Sequence, residues 1–80
     1  GNIASVARLR SGVYDLQFGQ AYASQNAVIP VVTSRESGYV ASVDFGNSTA
    51  TKARVELRNS TGVLADGHFQ VMLHGALAPL

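Results

Sequence analysis

Two histidines are the side chains of this sequence best suited to binding a metal, and both fall in one alternating segment. His68 and His74 flank a run in which Phe69, Val71 and Leu73 alternate with polar or flexible residues. This period of two predicts a β-strand with both histidines on one face. At about 3.3 Å per residue the two rings lie roughly 20 Å apart, too far to share a metal ion within one chain. Copies of one histidine meeting on a threefold axis would form a metal site, but we expect surface or interface histidines and no bound metal.

We find no catalytic motif in the sequence. No serine stands in a G-x-S-x-G turn between a strand and a helix, which nucleophilic hydrolases of one large class require. The carboxylates show no pairing typical of glycosidases, and Asp66 is expected to accept nearby backbone N–H bonds in a turn. Because the chain has no cysteine, disulfides and thiolate metal sites are excluded. We therefore predict a protein that is not an enzyme, with no catalytic residues and no cofactor.

Six predicted strands would position the side chains of this single 80-residue domain. The predicted strands cover residues 3–10, 13–18, 27–33, 39–45, 52–58 and 68–74; for residues 3–10 a short helix is the alternative, and strand is favoured because the helical spacing is poor. The first two strands are predicted to form a hairpin through Arg10, Ser11 and Gly12, and the last two to form a second hairpin with a wide loop. No segment has a convincing helical period. The sequence thus predicts an all-β fold, an antiparallel and jelly-roll-like β-sandwich.

The chain is poor in charge for its size. Only 14% of its residues are charged, against about 25% in a typical soluble domain. A chain this short buries only about 60% of its unfolded surface, and small folds often gain stability by oligomerising. Residues 27–33 are apolar at both odd and even positions, which indicates a strand buried on both faces. Pro30 indicates that this strand is an edge strand or contains a bulge. We therefore predict that copies of the chain cover each other, with this interface: Val28, Val32, His68, Gln70, Met72, His74 and Leu77.

The distribution of charge excludes two classes of partner. Six basic and five acidic residues are scattered without runs, which argues against nucleic-acid binding. No apolar run approaches the roughly 20 residues of a membrane helix, so membrane insertion is not expected. The strand arginines either pair with Asp15 and Glu56 or meet an anionic glycan. Tyr22 and Tyr39 are candidate ligand contacts, because exposed aromatic rings stack on sugars, and Arg35 is a further candidate. For Tyr39 the alternative is core packing beside Val43 and Phe45.

Two motifs stand in order toward the two ends of the chain. Residues 5–8, Ser-Val-Ala-Arg, precede residues 12–18, Gly-Val-Tyr-Asp-Leu-Gln-Phe. Residues 59–62, Asn-Ser-Thr-Gly, precede Ala65-Asp66 and Phe69 and then an alternating strand that ends at Gly75. This order resembles small β-sandwich modules of bacteriophage tail-fibre and other virion proteins. The likeness runs from about Ser5 to Gly75, and the chain departs from it between Val32 and Thr51, which is shorter than usual.

The resemblance implies a virion-associated, homotrimeric module near the end of a tail fibre or spike, used for fibre trimerisation or host-surface attachment. Its partners would be further copies of itself, other virion proteins and a host cell-surface glycan or receptor. The chain would then be a fragment of a longer virion protein; its first residue, Gly1 rather than Met, fits a fragment, a processed product or a residual cloning glycine. Two alternatives stay open: a capsid decoration or cement protein, and a lectin-like glycan-binding module of a cellular protein.

Overall fold

The chain folds into six β-strands. The computed structural model describes residues 1–79 and defines β1 (Ile3–Arg10), β2 (Val13–Phe18), β3 (Val28–Ser34), β4 (Val40–Asp44), β5 (Lys52–Arg58) and β6 (Phe69–Gly75). Two short 3-10 turns, Gln25–Ala27 and Phe45–Asn47, interrupt the connections, and the described part of the chain contains no α-helix. The predicted all-β class is confirmed, and the predicted strand ends are correct to within about one residue.

The strands form two antiparallel sheets of unequal width. The first sheet has the order β1-β2-β5-β4, and the second consists of β3 and β6. Their facing surfaces share one apolar core, an arrangement consistent with a β-sandwich. The buried cluster comprises Leu16, Phe18, Tyr22, Val28, Ala53 and Val55, with Val32, Phe69, Val71 and Leu73 packed against it. Both sheets therefore contribute one alternating face to the same core.

The predicted hairpin between the last two strands is wrong. β5 lies in the first sheet, where β2 occupies one of its edges and β4 the other. β6 lies in the second sheet and pairs with β3. The link over residues 59–68 therefore crosses from one sheet to the other. It leaves β5 through a tight turn at Asn59, whose N–H donates to Val63 O at 2.8 Å, and residues 64–68 carry the chain across.

The first predicted hairpin is confirmed, and it ends the wider sheet. β1 pairs with β2 through a turn in which Gly12 has φ 73°. Every residue of β1 is exposed, including Val6 at 55% and Leu9 at 45%. The exposure follows from the unequal widths, because a two-stranded sheet covers only part of a four-stranded one. β1 therefore has neither an outer neighbour nor a covering strand within residues 1–79.

β3 is buried on one face only, contrary to the burial on both faces that its composition suggests. Val28 and Pro30 face the core, whereas Ile29 is 62% and Val31 50% exposed. Pro30 is tolerated because of the hydrogen-bond pattern. Two hydrogen bonds at the ends of the β3–β6 pair show which residue pairs are hydrogen-bonded. The N–H of residue 35 donates to the carbonyl of residue 68, and the N–H of residue 76 donates to the carbonyl of residue 27. By the alternation of antiparallel pairs, the nitrogen of Pro30 points away from β6 and no ladder bond is lost.

Candidate functional site

The outer face of the second sheet carries three exposed apolar side chains. β3 and β6 present three cross-strand pairs there: Ile29 with His74, Val31 with Met72, and Thr33 with Gln70. Met72 is 61% exposed, close to the values of Ile29 and Val31. None of the six side chains is an acid, a lysine or an arginine. A contiguous apolar strip of this kind on a small domain is typical of a surface that another protein covers.

Sequence reasoning found the β6 half of this face and misplaced parts of the remainder. Gln70, Met72 and His74 do share the outer face, as the alternation predicts. Val28 is only 6% exposed and belongs to the core of the chain itself, which removes it from any surface. Val32 also points inward and packs against that core. Leu77 lies apart from the face, bridged to Tyr22 and 45% exposed.

The outer face of the wider sheet is different, because it carries a row of ion pairs. Asp15 Oδ1 lies 2.8 Å from Arg54 Nε, and its Oδ2 lies 3.3 Å from Lys52 Nζ. The hydrogen bonds from Arg54 are the main reason that the pKa of Asp15 is lowered. Further along β5, Arg58 approaches Glu56 at 3.6 Å. The predicted pairing with Asp15 and Glu56 is confirmed for Arg54 and Arg58, whose charges are largely balanced within the sheet, whereas Arg8 pairs with Asp66 instead.

A second polar cluster fixes the link between the sheets to the β1–β2 hairpin. Asp66 accepts hydrogen bonds from Gly12 N–H at 2.8 Å, Tyr14 Oη–H at 2.9 Å and Arg8 Nε–H at 2.9 Å. The bond from Gly12, with help from Tyr14 and Arg8, lowers the pKa of Asp66. Burial and the bond to Asp66 raise the pKa of Tyr14. Asp66 does accept a backbone N–H, as predicted, but the donor is distant in sequence, and the carboxylate ties two segments together.

His68 lies just before β6 and contacts Glu36 in the turn that precedes β4. Glu36 Oε2 accepts the His68 backbone N–H at 2.8 Å and lies 2.9 Å from His68 Nδ1. The backbone bond is the main cause of the lowered pKa of Glu36. The His68 side chain is 88% exposed. This contact holds the turn to the end of β6, and it uses one nitrogen of the ring that the metal hypothesis would need.

Residues 1–79 form no arrangement of side chains suited to a metal ion, and their larger clefts are open to solvent. These residues contain no group of three or more histidine, cysteine, aspartate or glutamate side chains that could hold a metal ion. The small recess beside Phe18, Val28 and Phe45 measures about 10 Å³, room for no more than a water molecule. An open cleft on the outer face of β3 and β6 measures about 560 Å³. In the described part of the chain no helix is long and apolar enough to cross a membrane.

The three predicted ligand contacts do not come together. Tyr22 is 5% exposed, and its ring packs edge-on against Phe18 with centroids 5.0 Å apart, so it offers no free face to a sugar. Tyr39 is half-buried and lies at the opposite end of the sheets from Tyr22, next to the strand end where Val40 pairs with Arg58. Arg35 is exposed beside the same turn. A combined glycan site of these residues is therefore not formed.

The surface residues that sequence reasoning missed are Ile29, Val31 and Thr33 on the outer face of β3. The apolar residues on both parities of this strand were the available signal, but they do not tell whether the cover comes from the same chain. Phe45, expected in the core, is 56% exposed. With the geometry established, comparison with known proteins adds no family: no protein-family model, no curated protein and no solved structure matches the chain.

Proposed function

We propose that this chain is a structural module of a bacteriophage virion, in a tail fibre or spike, that associates with its own copies to assemble the fibre or present it to a host surface. The observation that carries the proposal is the uncharged outer face of β3 and β6, on which Ile29, Val31 and Met72 are at least half exposed. Covering three such side chains removes apolar area from water, and this stabilises the association by about 25 cal/mol per Å² buried. The motif order described above supports the virion part of the proposal, including the homotrimer and the jelly-roll-like character.

The segregation of charge supports an assembly role for this face. One outer surface of the protein carries the ion-pair row of Asp15, Lys52, Arg54, Glu56 and Arg58, and the opposite outer surface carries no charged side chain from β3 or β6. Subunit interfaces are depleted in charge at their centre and enriched in methionine. This asymmetry favours burial of the β3–β6 face against neighbouring subunits over its exposure to water.

Substitution of Met72 by aspartate tests the association. We expect Met72→Asp to lower the mass measured by light scattering from an oligomer to a smaller species, because each copy would bury a charge at the contact. Val40→Asp is the matched control, since Val40 is 64% exposed and Met72 61%, and Val40 lies on the wider sheet. Equal masses for the unmodified chain and Met72→Asp would contradict the proposal.

The location in the virion needs a separate measurement. Antibodies against the chain should label the fibre or spike of the particles that contain it in electron micrographs. Label spread over the capsid would instead indicate the decoration or cement alternative. Binding to a glycan array by an oligomer with no label on virions would indicate the lectin-like alternative, and it would overturn the proposed function.

A further inference from the structure

β6 has a free edge with its hydrogen-bonding groups unused. The alternation that directs the nitrogen of Pro30 away from β6 also directs the backbone groups of Phe69, Val71 and Leu73 away from β3. No strand of residues 1–79 pairs with that edge. Unpaired edges of this kind add strands from other chains unless something protects them.

The free edges of β3 and β4 are protected, that of β1 is regular over a short stretch, and that of β6 is regular over its whole length. β3 has Pro30 at its free edge, and β4 is only five residues long. β1 has irregular register near Ala4 and Leu9, so that only Ser5–Arg8 pairs regularly. β6 has a regular seven-residue register with β3. It contains no proline, lysine or bulge, all of which proteins use to prevent edge pairing.

The free edge of β6 borders the uncovered inner face of β1. The rings of Phe69 and Tyr14 are 5.0 Å apart, which places β6 over β2, while β3 lies toward β4 and β5. No strand within residues 1–79 covers β1. Its inner face bears Ile3, Val6 and Arg8, since these residues pair with the inward-facing Phe18, Leu16 and Tyr14. Arg8 is held by Asp66 of the link, whereas Ile3 and Val6 are 38% and 55% exposed.

We propose that a second copy of this chain fills that space, with its β1 paired to the free edge of β6. One strand is missing beside β6, and a second copy can supply it with its own β1, the exposed edge strand of its wider sheet. A twofold axis parallel to the strands places the two β1 strands face to face and each beside the other copy's β6. The result is two continuous six-stranded sheets, each in the order β4-β5-β2-β1 followed by the other copy's β6 and β3.

Strand direction fits this arrangement. Phe69 begins β6 and contacts Tyr14 near the start of β2, so β6 runs with β2 and opposite to β1. A twofold axis along the strands preserves their direction, and the new pairing is therefore antiparallel. Direct pairing of two β6 edges is blocked, because β1 extends about 4.8 Å, one strand spacing, beyond β6. The isologous geometry makes every new contact twice and closes at two copies.

The inference does not depend on the proposed function, because it uses a different surface. The edge and the inner face of β1 are buried in the dimer, whereas the outer face of β3 and β6 stays uncovered. Met72→Asp should therefore leave the dimer intact if the edge contact forms. A variant of the edge contact should likewise leave any association through the outer face intact. The failure of one proposal can thus be told from the failure of the other.

Disulfide cross-linking tests the pairing directly. Ala7 pairs with Asp15 and thus faces outward on β1, and Gln70 faces outward on β6 at a similar level. Within one chain these positions lie on opposite outer surfaces of sheets about 10 Å apart, beyond the Cα separation of about 4.4–6.8 Å that a disulfide spans. In the dimer they are cross-strand neighbours. Because the natural chain has no cysteine, introduced pairs report only the designed contact.

We expect the double variant Ala7→Cys/Gln70→Cys to form a covalent dimer under mild oxidation, resolved on a non-reducing gel. Ala7→Cys/Met72→Cys covers a register shifted by two residues. Ser42→Cys/Gln70→Cys is the control, since Ser42 is exposed on β4 at the far end of the wider sheet. Absence of cross-linking in both test pairs, or cross-linking no greater than in the control, would overturn the inference.

The unlinked chain gives an independent result. Val6→Lys should convert the dimer to half its mass by sedimentation, because the twofold axis sets the two lysines against each other. Ala7→Lys, on the opposite face of the same strand, should keep the dimer. Circular dichroism checks that both variants remain folded, which is expected because both side chains are exposed. A Val6→Lys chain with the mass of the unmodified chain would contradict the inference.

Discussion

Replacement of Gly12 by alanine should be among the most damaging single-methyl additions in this protein. Gly12 has φ 73°, and a Cβ there would stand 2.5 Å from Leu57 O and 2.6 Å from Ala65 N. Both atoms are backbone and belong to one hydrogen bond, in which Ala65 N–H donates to Leu57 O at 3.0 Å, and the neighbouring Leu57 N–H donates to Gly12 O at 2.7 Å. The methyl group therefore has no flexible side chain to displace.

Two costs add for Gly12→Ala. Holding an L-residue in the left-handed region costs about 1–2 kcal/mol. Moving the backbone away from the new methyl group breaks at least one of the two hydrogen bonds at Leu57, and a buried group left unpaired costs about 1–3 kcal/mol. The free energy of unfolding should fall by about 2–5 kcal/mol in total. An 80-residue domain has a total stability of about 4–12 kcal/mol, so this one substitution should remove a large share of it.

Gly62→Ala is the matched control, and urea unfolding monitored by circular dichroism is the assay. Gly62 has φ 81°, but nothing lies within 4 Å of a Cβ built on it. It therefore carries the conformational cost without the crowding. Gly12→Ala should be less stable than Gly62→Ala by about 1–3 kcal/mol, the value of the lost hydrogen bond. Equal denaturation midpoints for the two variants would refute the crowding argument.

Two further predictions concern the second sheet and the ion-pair row. Gly75→Ala should destabilise by about 1–3 kcal/mol as an overpacking change, because its Cβ would collide with Ala27 O and stand 2.9 Å from Val28 Cα; Gly46→Ala, whose Cβ would meet only Asp44 Oδ1 at 3.5 Å, should change thermal stability little. Because the folded-state pKa of Asp15 is lowered, chiefly by Arg54, its contribution is present above the unfolded pKa of about 3.9 and is lost as pH falls through the folded value. Asp15→Asn should therefore flatten the loss of stability below about pH 4, and an unchanged acid limb in urea titrations would contradict this.

The alternation of apolar residues predicted β2, β5 and β6 and their faces, because each of these strands has one face in the core. In β5, Ala53, Val55 and Leu57 are buried as predicted. Strand pairing was not predictable in the same way. Alternation fixes which face of a strand is buried, but not which strand lies beside it. The turn formers at residues 59–62 predicted a hairpin, whereas the edges of β5 were already occupied by strands distant in sequence.

Two aromatic residues, Tyr22 and Phe45, show that burial is also difficult to predict from local sequence. Tyr22 stands in a polar connection, yet it is buried because its N–H donates to Ala50 O at 2.9 Å and its ring meets Phe18. Phe45 continues the alternation of β4, yet it is exposed because the chain enters a 3-10 turn at that residue. Both outcomes depend on tertiary contacts that no short sequence window contains.

The order of the strands in the two sheets shows which surface of the protein lacks charged residues. Composition alone indicated that apolar surface must be covered somewhere, without saying where. In the folded chain the charges of β2 and β5 line one outer surface, where they pair with each other, and β3 and β6 contribute none to the opposite surface. A monomer that tolerated an apolar face in water would gain nothing from this segregation. Two largely uncovered regions with apolar side chains, the outer face of β3 and β6 and the inner face of β1, are consistent with the low charge content, and under the two proposals each is a separate contact with another subunit.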